Sequence, residues 1–303
     1  MLAPTPFTEL VGCRLPLQQA GMGGVTTPEL AGAVARAGGL GMIAVAGLTA
    51  SDAANHVTVA LQVAGADGRI GANFLIPFLD LSALEDVARR LPVVELFYGD
   101  PDGAVIERIH DGGALAAWQV GSEDEARAAV DAGCDLVVAQ GCEAGGHLRG
   151  DRPLLPLLAD VRAAVDVPLV AAGGIGSGAA MAAALSAGAD AVRIGTRFLA
   201  TEEADVHPEY VEALLRSGPD DTTVTQAFSL GWPDAPHRVI TSCLEASNDD
   251  PSTRSPLPPT RDFDGDVAAA ALYAGESVGD VRQVLPAHEV VDELVREAEA
   301  ALP

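Results

Sequence analysis

The chain has 303 residues, of which 49% are hydrophobic and 20% charged. That supplies enough apolar material to offset the entropy of ordering, so extensive disorder is excluded and one large domain or two ordinary ones are expected. The net charge is −25, from 43 acidic and 18 basic residues, and every basic residue is an arginine. With 4% aromatic residues, this excludes an electrostatic footprint for nucleic acid or anionic lipid, while local backbone binding of a phosphate stays open. The acidity reads first as solubility and second as adaptation to salt. Cys13, Cys134, Cys142 and Cys243 form no C-x-x-C pair, which argues against a zinc or redox site and fits a reduced cytoplasm. No metal site is expected, and neither is a signal peptide.

In chain order, short apolar runs recur at Leu15–Ala20, Gly39–Val45, Ile70–Leu75, Pro92–Phe97, Ala114–Gln119, Leu136–Gln140, Pro168–Ala172 and Ala191–Gly195. They lack clean alternation, which suits strands buried on both faces. Ala- and charge-rich helical patterns lie between them. Thr27-Pro28-Glu29 opens one with a cap and a first-turn proline. Ser82 with Glu85, and Ser122 with Glu125, read as capping boxes. Ala37-Gly38, Ala132-Gly133 and Ala187-Gly188 read as helix ends, where glycine takes the left-handed conformation. The uncharged stretch 167–189 carries Pro168 and five glycines, so it reads as strand, turn and helix and not as a membrane span.

Eight alternating strand–helix units imply a parallel sheet, and eight within about 200 residues favour a closed (β/α)8 TIM barrel over a doubly wound sheet. The division expected is a barrel over 1–205, an irregular lid excursion over 206–266 and a helical return over 267–303 that packs on the barrel. The Pro- and Asp-rich run from Asn248 to Thr260 marks the lid.

Active sites in such barrels lie at the C-terminal ends of the strands. There, Val170-Ala-Ala-Gly-Gly-Ile-Gly176 and Arg193-Ile-Gly-Thr-Arg197 form two glycine turns that let backbone N–H groups approach an anion, which points to a phosphate clamp. His147 ends the Glu143-Ala-Gly-Gly-His147 loop after the sixth strand and reads as a general base or acid. Glu143 reads as a rim charge, and a nucleophilic Cys142 is disfavoured because no Ser-x-Cys-x-Thr-like loop is present. His237, in the lid, is a candidate pocket wall.

Five stretches together carry a resemblance: Gln19-Ala-Gly-Met22-Gly-Gly-Val-Thr-Thr-Pro-Glu-Leu, Ala37-Gly-Gly-Leu-Gly, Ala139-Gln-Gly-Cys-Glu-Ala-Gly-Gly-His147, Ala172-Gly-Gly-Ile and Gly195-Thr-Arg-Phe-Leu-Ala. Gly231-Trp-Pro-Asp-Ala-Pro-His-Arg and Ala274-Gly-Glu-Ser-Val-Gly extend it. The chain resembles the nitronate monooxygenases, formerly 2-nitropropane dioxygenases, over nearly its whole length.

The resemblance implies FMN. Ala20, Gly21 and Met22 would lie along its ring, with Asn73, Gln119 and Gln140 at the ring edge. Gly173, Gly174, Gly195 and Thr196 would hold the phosphate, with Gly145 also at the cofactor, and His147 would be the catalytic base. Gly21 stands where the family usually has proline. No lysine is present for the pyrimidine end of the flavin, and Gln119 takes that place.

The implied reaction oxidises an alkyl nitronate, or a nitroalkane deprotonated by His147, with O2 to a carbonyl compound and nitrite. Imidazolium His147 and oriented N–H groups would attract the anionic nitronate. The rival is an NAD(P)H-dependent quinone or enoyl-thioester reductase, because the Glu-Ala-Gly-Gly-His loop also looks like that of FMN enoyl reductases. A third class is a non-enzymatic flavin-binding regulator or carrier. A small-molecule substrate, a homodimer and a cytoplasmic location complete the expectation, with no nucleic-acid or membrane partner.

Overall fold

The computed structural model describes residues 2–229, 232 and 234–302. The strands are β1 (Leu17–Gln19), β2 (Leu40–Ala44), β3 (Arg69–Leu75), β4 (Val93–Phe97), β5 (Leu115–Val120), β6 (Leu136–Gln140), β7 (Gly146–His147), β8 (Leu169–Ala172), β9 (Ala191–Ile194), β10 (Thr222–Thr225) and β11 (His237–Ile240). Eight of them close a parallel barrel in the order β1-β2-β3-β4-β5-β6-β8-β9, sealed by Leu17, Gln18 and Gln19 opposite Val192, Arg193 and Ile194. These are the eight runs read from the sequence, and their ends agree within two residues. β7, β10 and β11 form a separate antiparallel ribbon in the order β10-β11-β7.

Alternation along the barrel strands builds the interior in layers, because residues i and i+2 share a face. Leu40, Met42, Val93, Ala117, Leu136, Val138, Val170 and Ala191 fill the lower barrel. The short helix Pro6–Val11 plugs that end with Phe7 and Val11, and burying Phe7 contributes ~1.5–3 kcal/mol. Two residues further along the strands stand Asn73, Glu95, Gln119, Gln140 and Arg193, all buried, joined by Gln18 of β1. The barrel therefore changes from apolar to polar at one level, directly beneath its C-terminal mouth.

The surrounding helices follow the local signals, with two exceptions. Thr27 Oγ1 accepts from Leu30 N–H at 3.0 Å above the first-turn Pro28, as expected. Ser82 is not a cap; Asp80 is, accepting from Ser82 and Ala83 N–H, because its carboxylate sits one position before the helix. Ser122 caps Glu125 N–H, but the Glu125 carboxylate returns to Gly121 N–H instead of closing a box. Gly38, Gly133 and Gly188 all have positive φ at helix ends.

The stretch after 205 is more regular than its composition suggests. It holds the helices Pro208–Arg216 and Thr241–Asp249 as well as β10 and β11, leaving the Pro-rich segment after Asp249 as the irregular part. Of the motif at 231–238, Gly231 and Pro233 lie outside the described residues. The return is α-helical over Ala287–Ala301, which packs on the helices Gly178–Ser186 and Pro28–Ala37, and before it holds only the short 3-10 turns Val267–Ala269 and Glu276–Asp280. Gly178 permits this: a Cβ there would lie 2.2 Å from Glu297 Cβ. One buried apolar cluster runs through all three segments. Among the described residues no helix is long and apolar enough to cross a membrane.

Close packing also explains part of the Ala37-Gly-Gly-Leu-Gly motif. A Cβ at Gly41 would lie 1.9 Å from the Ala31 carbonyl oxygen, a backbone clash that no rotamer relieves. Gly41→Ala should therefore destabilise the barrel by about 2 kcal/mol or more, seen as a lower thermal midpoint. An unchanged midpoint would contradict this packing.

Candidate active site

A cavity of about 920 Å³ opens at the C-terminal mouth of the barrel. Its walls include every site residue expected from the sequence: Ala20, Gly21 and Met22 after β1, Asn73 of β3, Gln119 of β5, Gln140 of β6, Gly145 and His147 of the following loop, Gly173 and Gly174 after β8, and Gly195 and Thr196 after β9. The segment after 205 closes the other side with Phe228, Trp232, Leu257, Pro258 and Phe263. Phe78 and Leu257 leave large apolar surface exposed at its rim.

The two glycine turns form one end. Gly173 and Gly174 both take positive φ, +111° and +67°, which only glycine adopts readily. Gly195 has no such constraint, and a Cβ there would meet only Ala20 Cβ and Met22 Sδ at ordinary contact distance. Thr196 Oγ1 accepts from Gly275 N–H at 3.0 Å and keeps its own proton available. Gly145 is glycine because its backbone crosses Gly275, with a Cβ there 2.5 Å from Gly275 N. Glu143 lies beside the Gly174 turn, but both its carboxylate oxygens accept from Leu154 N–H at the start of the helix Leu154–Ala164. It is therefore a helix cap.

The floor is the polar layer. Glu95 is fully buried, and its carboxylate accepts from Gln18 Nε2 at 2.8 Å, Asn73 Nδ2 at 2.8 Å and Arg193 Nη1 at 2.5 Å. Arg193 Nη1 also donates to Gln119 Oε1. Arg193 lines the cavity, whereas Glu95 does not. No sequence motif marks either residue as part of the site, and in the sequence the place of a cation falls to neutral Gln119; the structure puts a guanidinium in the same layer, Arg193, reaching across the barrel from β9. Opposite charges within otherwise apolar barrel strands were the available signal, since buried charges must pair. Gln140 donates to the His147 carbonyl at 2.9 Å and leaves its buried Oε1 without a partner.

His147 is fixed by the ribbon. β11 pairs with β7, setting His237 opposite His147 and Arg238 opposite Gly146. Arg238 donates from Nε and Nη2 to the Cys142 carbonyl at 3.0 and 2.8 Å and pairs with Glu276 at 3.2 Å, so it staples the loop. The His147 ring stands 4.0 Å from Trp232, 5.1 Å from His237, 5.7 Å from Tyr273 and 6.0 Å from Tyr98, centre to centre. Burial, and then the neighbouring His237, lower its pKa to about 4. His147 is thus a neutral imidazole at pH 7, a ready proton acceptor, and the expectation that imidazolium His147 attracts an anion fails. Its buried Nδ1 has no hydrogen-bond partner among the described residues, and a contact of the ring with the Ala235 backbone opposes part of that lowering.

His237 does not line the cavity. It is fully buried, with Nδ1 at 2.9 Å from the Ala235 carbonyl and Nε2 accepting from Phe228 N–H at 3.3 Å. Both ring nitrogens are occupied, which makes it a support for the ribbon. Cys142 lies outside the cavity, and burial raises its pKa, so it is no nucleophile. Among the described residues no His, Cys, Asp and Glu group suits a metal ion.

A neutral imidazole, two glycine turns and a polar floor with one guanidinium thus share one chamber. Such a set can hold a planar, polar ring bearing an anionic tail, and can take a proton from a second molecule above it.

The family model for nitronate monooxygenase matches residues 5–90 and 79–297. FabK from Thermotoga maritima superposes with a TM-score of 0.86 at 30% identity, covering 99% of this chain and 97% of that one. The nitroalkane oxidase of Streptomyces ansochromogenes gives 0.83 at 32% identity, covering 98% and 99%. A curated relative from Rhodococcus jostii, (3aS,4S,5R,7aS)-5-hydroxy-7a-methyl-1-oxo-octahydro-1H-indene-4-carboxyl-CoA dehydrogenase, is 36% identical over 241 residues. That match takes in 79% of this chain and 66% of the relative, so the chain spans slightly under two thirds of that relative's length. With barrel, cavity and a family match over nearly every residue in agreement, the chain belongs to the nitronate monooxygenase family.

Proposed function

We propose that the protein is an FMN-dependent nitronate monooxygenase that oxidises alkyl nitronates, or nitroalkanes, with O2 to carbonyl compounds and nitrite. The observation that carries this reading is that the two glycine turns, the Gln119–Gln140–Arg193 floor and His147 face one cavity. The residues suit FMN: the orphaned Gln140 Oε1 awaits a donor, and the Gly173-Gly174 turn presents backbone to an anion.

In this reading Gly173, Gly174, Gly195 and Thr196 hold the phosphate, with Gly145 in the neighbouring wall. Ala20, Gly21 and Met22 flank the ring, and Asn73, Gln119 and Gln140 meet its polar edge. The flavin supplies the electron transfer to and from substrate and O2. The His147 imidazole takes the α-proton when the substrate arrives as the neutral nitroalkane, a contribution of about 10²–10⁴ in rate. Trp232 and Phe228 exclude water from that step. A cytoplasmic location, in keeping with four free cysteines, a homodimer and the 1–205, 206–266 and 267–303 division are parts of the same proposal.

The second reading is an NAD(P)H-dependent reductase. It is favoured by the dehydrogenase name of the Rhodococcus relative and by the Glu-Ala-Gly-Gly-His loop. Anaerobic mixing with NADPH separates the two. The monooxygenase leaves the flavin oxidised and releases nitrite from propionate 3-nitronate or nitroethane in air; rapid bleaching without nitrite release makes it a reductase.

His147→Ala should lower kcat/KM for nitroethane about 10²–10⁴-fold and spare the preformed nitronate to within about tenfold; equal losses on both would remove His147 as the base. Because that base works only when unprotonated, kcat/KM for the neutral nitroalkane should fall as pH drops, with its half-point near the pKa of about 4. A half-point near 6.5, the ordinary histidine value, would contradict the buried neutral imidazole.

A further inference from the structure

The Glu95–Arg193 pair does more than a floor requires. Gln18, Asn73, Gln119 and Gln140 occupy the same layer as neutral amides, which a barrel interior accommodates at lower desolvation cost than two ions. The pair is also asymmetric. Glu95 is fully buried, is held by three donors and does not reach the cavity. Arg193 lines the cavity, and among the described residues its side-chain hydrogen bonds run from Nη1, with Nε and Nη2 neither bonded nor sealed. The pair is therefore a dipole built into the barrel, its positive end at the cavity surface and its negative end beneath.

We propose that Arg193 is a positioning residue for charge: its guanidinium stabilises negative charge on the ring seated above the floor, and Glu95, by opposing it, sets how strongly that charge is felt. This rests on the FMN reading. A flavin that accepts two electrons and fewer than two protons becomes anionic, and a cation at its edge favours that form. The protein achieves this without lysine, from a strand on the opposite side of the barrel from Glu95. The two residues make opposite demands on the ring, so their removal has opposite signs.

The experiment uses FMN-loaded wild-type protein with Arg193→Gln, Arg193→Lys and Glu95→Gln. Two readouts are needed: the flavin midpoint potential, and the affinity for sulfite, whose addition bleaches the flavin and leaves it anionic. Arg193→Gln should weaken sulfite binding about tenfold or more and lower the potential. Arg193→Lys should restore part of both. Glu95→Gln should strengthen sulfite binding several-fold and raise the potential.

General loosening of the floor would move both glutamine variants the same way, so shifts of one sign, or sulfite affinities within twofold of wild type, overturn the proposal. If Arg193→Gln does not fold, the sign of the Glu95→Gln shift decides alone. Wild-type protein that takes up no FMN would bring down the cofactor reading itself; protein that binds FMN with unmoved potentials brings down only this inference.

Discussion

A carboxylate with no exposure must find its donors inside the protein, and Glu95 finds three, from β1, β3 and β9. That requirement ties strands from three places around the barrel to one point. It also fixes their register, because a one-residue slip in any of them would turn its donor outward. Breaking such a buried pair from one side leaves an uncompensated charge, which typically costs ~3–5 kcal/mol. The arrangement decides where the apolar lower barrel ends and where the floor of the cavity begins. Everything above it, from the glycine turns to the His147 loop, is built on a level set by this contact.

The mouth is completed from far away in sequence. β11 brings His237 and Arg238 against Gly146 and His147, so the loop that carries His147 becomes an edge of a small sheet. The same pairing surrounds the imidazole with Trp232, Tyr273 and His237, and their bulk removes the water that would stabilise its charged form. The segment after 205 thus does two things. It encloses the cavity, and it sets the protonation state of the histidine that lines it.

Much of this was legible in the sequence because it is local. The eight barrel strands are bounded by turn residues and helix caps that act over four or five positions, such as Thr27 with Pro28 and the glycines at 38, 133 and 188. The glycine turns at 173–174 and 195 were legible for the same reason, since each lies directly after an apolar run. Apart from one local cap, what escaped depends on partners distant in the chain. Asp80 outcompetes Ser82 as a cap through its backbone geometry. β10 and β11 are only four residues each, and it is their pairing that makes them strands. His237 is no pocket wall, because both its ring nitrogens are bound within the ribbon segment. Arg193 and Glu95 were visible as charges in apolar strands, but the missing lysine drew attention to Gln119, on a third strand, and not to a guanidinium reaching over from β9.

The central claim is that the two glycine turns seat the anionic end of the same molecule whose ring lies on the polar floor. Titrating the cofactor-free protein with FMN and with riboflavin, which lacks the phosphate, tests this most directly. Two or more charge-assisted hydrogen bonds to the phosphate should make FMN bind about a hundredfold more tightly than riboflavin. Equal affinities for the two, or binding of neither, would contradict it.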